Sequence, residues 1–154
     1  GVMIAYASIY GNTKKAAELL YDKLKAKNVD VIITDLARCD MSKAISDAFA
    51  YGKLVLATPT YNADVFPFMR TFIEGLTERN YQKRTDHGAV ASLKNFEWTE
   101  NKENGAWAPM AAKVMAGMFE KSKELNILDK TVKITCALND ASVAQIDELA
   151  NELA

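Results

Sequence analysis

Two hydroxyls, an amide and a glycine stand close together in Ser8, Ile9, Tyr10, Gly11, Asn12 and Thr13, directly after the apolar run Val2, Met3, Ile4, Ala5, Tyr6 and before an amphipathic stretch. At a strand-to-helix turn these residue types suit a phosphate. A helix start presents unpaired backbone N–H groups and a partial positive charge. Ser8 and Thr13 add hydroxyl donors, Asn12 adds an amide, and Gly11 lets the backbone curl around an anion. The plainer alternative is that Asn12 or Thr13 only caps the helix.

Two further groups carry polar atoms beside large rings. Thr58, Pro59, Thr60, Tyr61, Asn62, Ala63 and Asp64 follow a second apolar run. Pro59 stiffens the exit, and Tyr61 either roofs the core or offers a flat face. Its neighbours Thr60 and Asn62 favour a heterocycle that takes both stacking and hydrogen bonds. Later, Glu103, Asn104, Gly105, Ala106, Trp107, Ala108 and Pro109 place a second ring just before a helix start, where Trp107 alone would also serve as a hydrophobic staple. Three common phosphate readings are weakened. No lysine stands where a nucleoside triphosphate loop needs one, the loop has one glycine where a dinucleotide fingerprint has three, and Ala7 and Ser8 replace the acids of a phosphoacceptor.

These groups need a frame, and the hydropathy pattern supplies one. Strands are expected at Val2 to Ala7, Val29 to Leu36, Leu54 to Thr58, about His87 to Leu93, and Thr131 to Leu138. The first and third are apolar throughout, as strands covered on both faces are. Between them apolar residues recur at helix spacing: Ala17, Leu20, Tyr21, Leu24; Met69, Phe72, Ile73, Leu76; Ala111, Val114, Met115, Met118; and Val143, Ile146, Leu149, Ala150, Leu153, with a shorter helix around Ser42 to Tyr51. The methionines of 110–118 read as core at this spacing. Pro67 and Pro109 suit first-turn positions, and Ser142 after Asp140 suits a helix start. Five alternations of strand and helix predict an α/β domain over residues 1–154, a doubly wound five-stranded parallel sheet of order 2-1-3-4-5 with helices on both faces. Ligands of such sheets bind beyond the carboxyl ends of the strands, where all three groups fall.

At 154 residues the chain is about one domain, able to bury roughly two thirds of its unfolded surface. A net charge of −1 points to neither nucleic acid nor an anionic membrane as partner. Cys39 and Cys136 lie far apart without metal spacing, which suggests a reducing cytoplasm and no disulfide frame. No apolar run approaches a membrane span or a signal peptide.

Taken in order, "YASIYGNT", "TPTYN" and "ENGAWAPMAAK" resemble the flavodoxin-like fold, and more specifically the C-terminal flavodoxin domain of the flavodiiron (A-type flavoprotein) family. The resemblance implies an FMN cofactor and an electron-transfer role. Ser8, Ile9, Tyr10, Gly11, Asn12 and Thr13 would hold its phosphate. Pro59, Thr60, Tyr61 and Asn62 would meet one edge of the isoalloxazine, and Asn104, Gly105, Ala106 and Trp107 the other. Backbone at Asn62 and Ala63 would contact the central ring nitrogen. Electrons would arrive from a reductase or rubredoxin and pass to a redox partner protein or a fused diiron domain that reduces oxygen or nitric oxide. With His87 as the only histidine, this chain is not expected to hold the diiron site itself. No residue is expected to be catalytic or to bind metal, oxidoreductase activity requires the partner, and a homodimer is allowed.

Three departures from the family pattern bear on these expectations. The polar stretch Lys94 to Glu103 reads as an insertion before the glycine–tryptophan segment. Asp64 stands where glycine is frequent and is expected to lower the flavin potential. The near-zero net charge favours a permanently attached partner over a freely diffusing one. Two other readings compete: an FMN-dependent quinone or nitro-compound reductase, and a flavin-free domain that keeps the fold for interaction.

Overall fold

The computed structural model describes residues 1–9, 11–61, 64–79, 81, 89–96, 110–120, 122, 126–128, 132 and 138–154. The first apolar run forms strand β1 (Val2–Tyr6), and all five of its residues are buried. It alternates between two cores. Val2, Ile4 and Tyr6 join Val55 and Ala57 of β3 (Lys53–Tyr61) on one face. There they meet Leu20 and Leu24 of helix α1 (Asn12–Ala26) and Ile146, Leu149 and Leu153 of α5 (Asp140–Leu153). Met3, Ala5, Leu54 and Leu56 face the other way. They pack on Ala44, Ile45 and Ala48 of α2 (Met41–Ala50), Met69, Phe72, Ile73 and Leu76 of α3 (Pro67–Glu78), and Met115 of α4 (Met110–Met118). A strand buried on both faces has no need of polar alternation, which is why its sequence is apolar throughout.

Strand β2 (Val31–Asp35) pairs with β1, β1 with β3, β3 with β5 (Ala89–Phe96), and β5 with β6 (Asn126–Leu128), all in parallel. The spatial order β2-β1-β3-β5-β6 is the expected doubly wound arrangement, but its last described strand is Asn126–Leu128, ahead of the expected Thr131 to Leu138. The chain turns one way from β1 to β2 and the other way to β3. The switch point therefore lies between β1 and β3, where such sheets bind ligands.

The ends differ from expectation in places that matter for the site. β3 does not stop at Thr58 but continues through Pro59 to Tyr61, and a short strand β4 (Asp64–Val65) folds back antiparallel on it, with Thr60 opposite Val65 and Tyr61 opposite Asp64. The β3–β5 register shifts between Ala57 and Pro59, and resumes at Pro59 opposite Phe96. A proline without an N–H cannot continue a regular ladder in a central strand, and an irregularity is where it is accommodated. β5 reaches Phe96, so Lys94 to Phe96 are strand rather than the start of an insertion. The rest of the stretch to Glu103, His87 and most of Thr131 to Leu138 lie outside the described residues.

Helix starts follow local chemistry. Pro67 opens α3 as expected. Asp40 caps α2, accepting from the N–H groups of Ser42 and Lys43. Asn139 caps α5 in a reciprocal box in which its Oδ1 accepts from Ser142 N–H at 2.9 Å and Ser142 Oγ accepts from Asn139 N–H at 2.8 Å. Among the described residues no helix is long and apolar enough to cross a membrane.

Candidate functional site

Building from the carboxyl end of β1, Ala7 N–H donates to Ala57 O of β3 at 2.9 Å, so the two central strands stay joined up to the point where the turn begins. Ser8 then turns its hydroxyl back toward the helix start. Its Oγ accepts from Gly11 N–H at 3.1 Å and from Lys14 N–H at 3.4 Å. Gly11 is the N-cap of α1, left-handed at φ 87, with no side-chain cap. This is a conformation that side-chain-bearing residues rarely adopt, and it accounts for glycine here. A Cβ at Gly11 would find no heavy atom within 4 Å among the described residues, so backbone conformation and not crowding accounts for the glycine.

The N-cap position falls to Gly11, one residue before Asn12. Asn12 and Thr13 are helical residues, and the local side-chain acceptor is Ser8. Thr13 is only 4% exposed, and among the described residues nothing partners its hydroxyl. A buried hydroxyl with no partner costs free energy comparable to a lost hydrogen bond. The first turn of α1 carries no acidic residue, while Lys14 and Lys15 lie within it. Helix dipole and charge both favour an anion there. A left-handed glycine, a buried hydroxyl without a partner among the described residues and a positive helix end fit a phosphate monoester such as the one FMN carries.

The neighbouring strand brings the second group to the same edge. Thr58 is fully buried, and its hydroxyl donates to Pro59 O at 3.3 Å. Pro59, Thr60 and Tyr61 follow in the extended backbone, next to the turn that leaves β1. Ser8, Ile9, Gly11, Asn12 and Thr13 are thus gathered with Pro59, Thr60 and Tyr61 at one edge of the sheet. β5 ends at this edge too, because Phe96 pairs with Pro59. Tyr10, Asn62, Asn104, Gly105, Ala106 and Trp107 lie outside the described residues. Ile9 is 42% exposed and contributes an apolar surface at the mouth.

One polar contact of this edge was not expected from the sequence. Asp64 forms an ion pair and hydrogen bond with Arg70 of α3, and its Oδ1 also accepts from Val65 N–H at 2.7 Å. Partial burial would raise the Asp64 pKa. The Arg70 guanidinium and the Val65 amide outweigh it and hold the carboxyl below its usual value. The charge expected to stand alone beside the site is therefore balanced. Six residues separate the partners across a helix start, a spacing that no helix or strand periodicity would mark.

Elsewhere along the edge, Tyr6 Oη donates to Asp35 Oδ2 at 3.3 Å. Burial first, and then the Asp35 carboxylate, push the Tyr6 phenol up to about 12. It stands as a neutral donor that ties β1 to β2 beside the turn.

Comparison with known proteins agrees with this geometry. The chain is 25% identical over 155 residues to an uncharacterized protein of Methanocaldococcus jannaschii, and spans 99% of its own length but 36% of that relative. Its fold is similar to that of the rubredoxin oxygen:oxidoreductase of Desulfovibrio gigas, with a TM-score of 0.80 at 18% identity, covering 99% of this chain and 34% of the other. A flavodoxin from the domain Archaea superposes with a TM-score of 0.75 at 19% identity, covering 99% and 95%. The chain thus spans about a third of some relatives and nearly all of others. The Flavodoxin family matches residues 4–133. A chain matched over most of its length, with its turn at the β1–β3 switch, belongs to the flavodoxin family, whose cofactor is FMN and whose general role is electron transfer.

Proposed function

We propose that this chain is an FMN electron-transfer module that works with a redox partner, either a separate protein or a diiron domain of the same polypeptide, and receives electrons from a reductase or a rubredoxin. The observation that carries the reading is the turn around Ser8 and Gly11 to Thr13, with its left-handed glycine and a buried Thr13 hydroxyl that has no partner among the described residues, at the β1–β3 switch point. The partner assignment is supported by similarity to the Desulfovibrio gigas rubredoxin oxygen:oxidoreductase, of which this chain spans only 34%.

In this reading Ser8 shapes the turn through its bonds to Gly11 and Lys14, and Asn12 and Thr13 donate to the phosphate. Pro59, Thr60, Tyr61 and Asn62 line one side of the ring, with Tyr61 as a stacking surface. Asn104, Gly105, Ala106 and Trp107 line the other. Bound FMN supplies reversible uptake and single release of electrons, while the protein orients the ring and excludes water from it. The His87-only composition leaves any diiron chemistry to the partner.

The test is to load the 154-residue chain with FMN, reduce it photochemically without oxygen, and mix it with oxidised rubredoxin or a diiron protein in a stopped-flow instrument. Transfer that returns the flavin absorbance supports the module reading. Oxidation of NADH by a quinone with no reductase added would instead make the chain a quinone reductase. A protein that stays colourless in excess FMN would make it a flavin-free domain.

A further inference from the structure

We infer that Arg70 is a positioning and charge-balancing residue for the flavin edge. By holding Asp64 in an ion pair at the foot of the β3–β4 hairpin, it keeps the carboxylate from opposing flavin reduction. The inference rests on the FMN reading above and extends it to a residue on a different element.

The observations are local and independent of the phosphate turn. Tyr61 and Asp64 are directly opposed in the β3–β4 pairing. Opposed antiparallel residues have Cα atoms about 4.5–5.5 Å apart, so the Asp64 backbone is within one residue's reach of the strand end assigned to the ring. Asp64 is the only acidic residue between Asp47 and Glu74. Its two described partners are Val65 N–H, which fixes the carboxylate against its own strand, and the Arg70 guanidinium. Arg70 is anchored in turn by Glu74, whose Oε1 lies 3.8 Å from Nη1 one helical turn on. Helix α3 itself is fixed by Met69, Phe72 and Ile73, all with 0% exposure. A rigid helix thus carries a cation to the hairpin, and the hairpin's one carboxylate is drawn to the helix instead of projecting freely.

The flavin ring gains negative charge on full reduction. A free carboxylate near it would disfavour the reduced form, and a guanidinium bound to that carboxylate offsets the repulsion. Both side chains are partly exposed, at 37% for Arg70 and 41% for Asp64, so the effect is modest and screened by salt.

The experiment compares wild type, Arg70→Gln, Asp64→Asn and the double variant. Dissociation constants for oxidised and reduced FMN are measured at low ionic strength by fluorescence and absorbance, together with the midpoint potential. Arg70→Gln should weaken reduced FMN about two- to fivefold more than oxidised FMN and lower the potential. Asp64→Asn should do the opposite, and the double variant should return close to wild type. Opposite signs are the signature of charge, because loosening of the hairpin alone would affect both oxidation states alike and move both single variants in one direction. Equal effects on the two oxidation states, or shifts of the same sign, would overturn the inference while leaving FMN binding intact. A wild-type chain that binds no FMN would overturn both it and the reading beneath it. If Arg70→Gln does not fold, the sign of the Asp64→Asn shift decides: a raised potential supports the inference, and an unchanged or lowered one overturns it.

Discussion

Thr13 is where the demands of folding and of binding part company. Its hydroxyl is buried at the first turn of α1, and the described residues give it no partner. Removing it should therefore not harm the apo protein. Thr13→Ala deletes a polar group that no described residue satisfies and installs a better helix former, so the ligand-free chain should be unchanged or slightly more stable in urea. FMN binding should weaken by about 1 to 3 kcal/mol, the scale of a charge-assisted bond. A titration that finds unchanged FMN affinity would return Thr13 to a packing role. Ser8 differs, because its hydroxyl is already committed to Gly11 and Lys14 and shapes the turn whether or not an anion is present. The strand-to-helix turn was legible in the sequence because its glycine suits the left-handed conformation found at Gly11. The Asp64–Arg70 pair was not, since it joins a hairpin to a helix at a spacing set by tertiary structure alone.

Among the elements, those buried on both faces were the most readable. Val2 to Tyr6 and the Leu20, Leu24 stripe of α1 appear as read, because full burial admits only apolar side chains at the periods of strand and helix. The ends were less so. Pro59 reads as a strand terminator, yet β3 absorbs it through a register shift and runs on to Tyr61. Lys94 to Phe96 are largely polar but remain in β5 beside β3. In both cases the neighbouring strand outweighs local preference. The Asn139–Ser142 box is a third example. A serine in place of the usual Glu or Gln hides the motif, although the two reciprocal bonds are formed. Asn139→Ala should cost about 1 kcal/mol of unfolding free energy in urea. α5 packs against α1 through the shared core, and Lys23 Nζ lies 2.5 Å from Asp147 Oδ1. The loss should therefore be read by the whole molecule rather than as fraying of one helix. A change below a few tenths of a kcal/mol would show that the box is not needed.

For the molecule as a whole, two buried phenols set an alkaline limit. Tyr6 is pushed up to about 12, first by burial and then by Asp35, and Tyr81, 1% exposed, is raised by burial. In the unfolded chain tyrosines lose their proton near pH 10. Between that pH and the folded value the unfolded state binds fewer protons than the native state, so stability falls as pH rises. The contribution is complete below about pH 10 and is lost on the way to about 12, on the order of 2 kcal/mol for Tyr6. Tyr6→Phe should flatten this part of the stability curve, as measured by urea unfolding between pH 8 and 12. A slope unchanged by the substitution would place the alkaline limit elsewhere.

The same sheet edge that ties Tyr6 to Asp35 also carries the turn on which the functional reading depends. Its most direct test is a comparison of FMN with riboflavin, which has the same ring and lacks the phosphate. The apo chain is titrated with each while flavin fluorescence and absorbance are followed. Stoichiometric, quenched binding of FMN is expected, with binding of riboflavin at least about tenfold weaker, the difference being supplied by the Ser8 to Thr13 turn. Equal affinity for the two, or no binding of either, would contradict the functional reading.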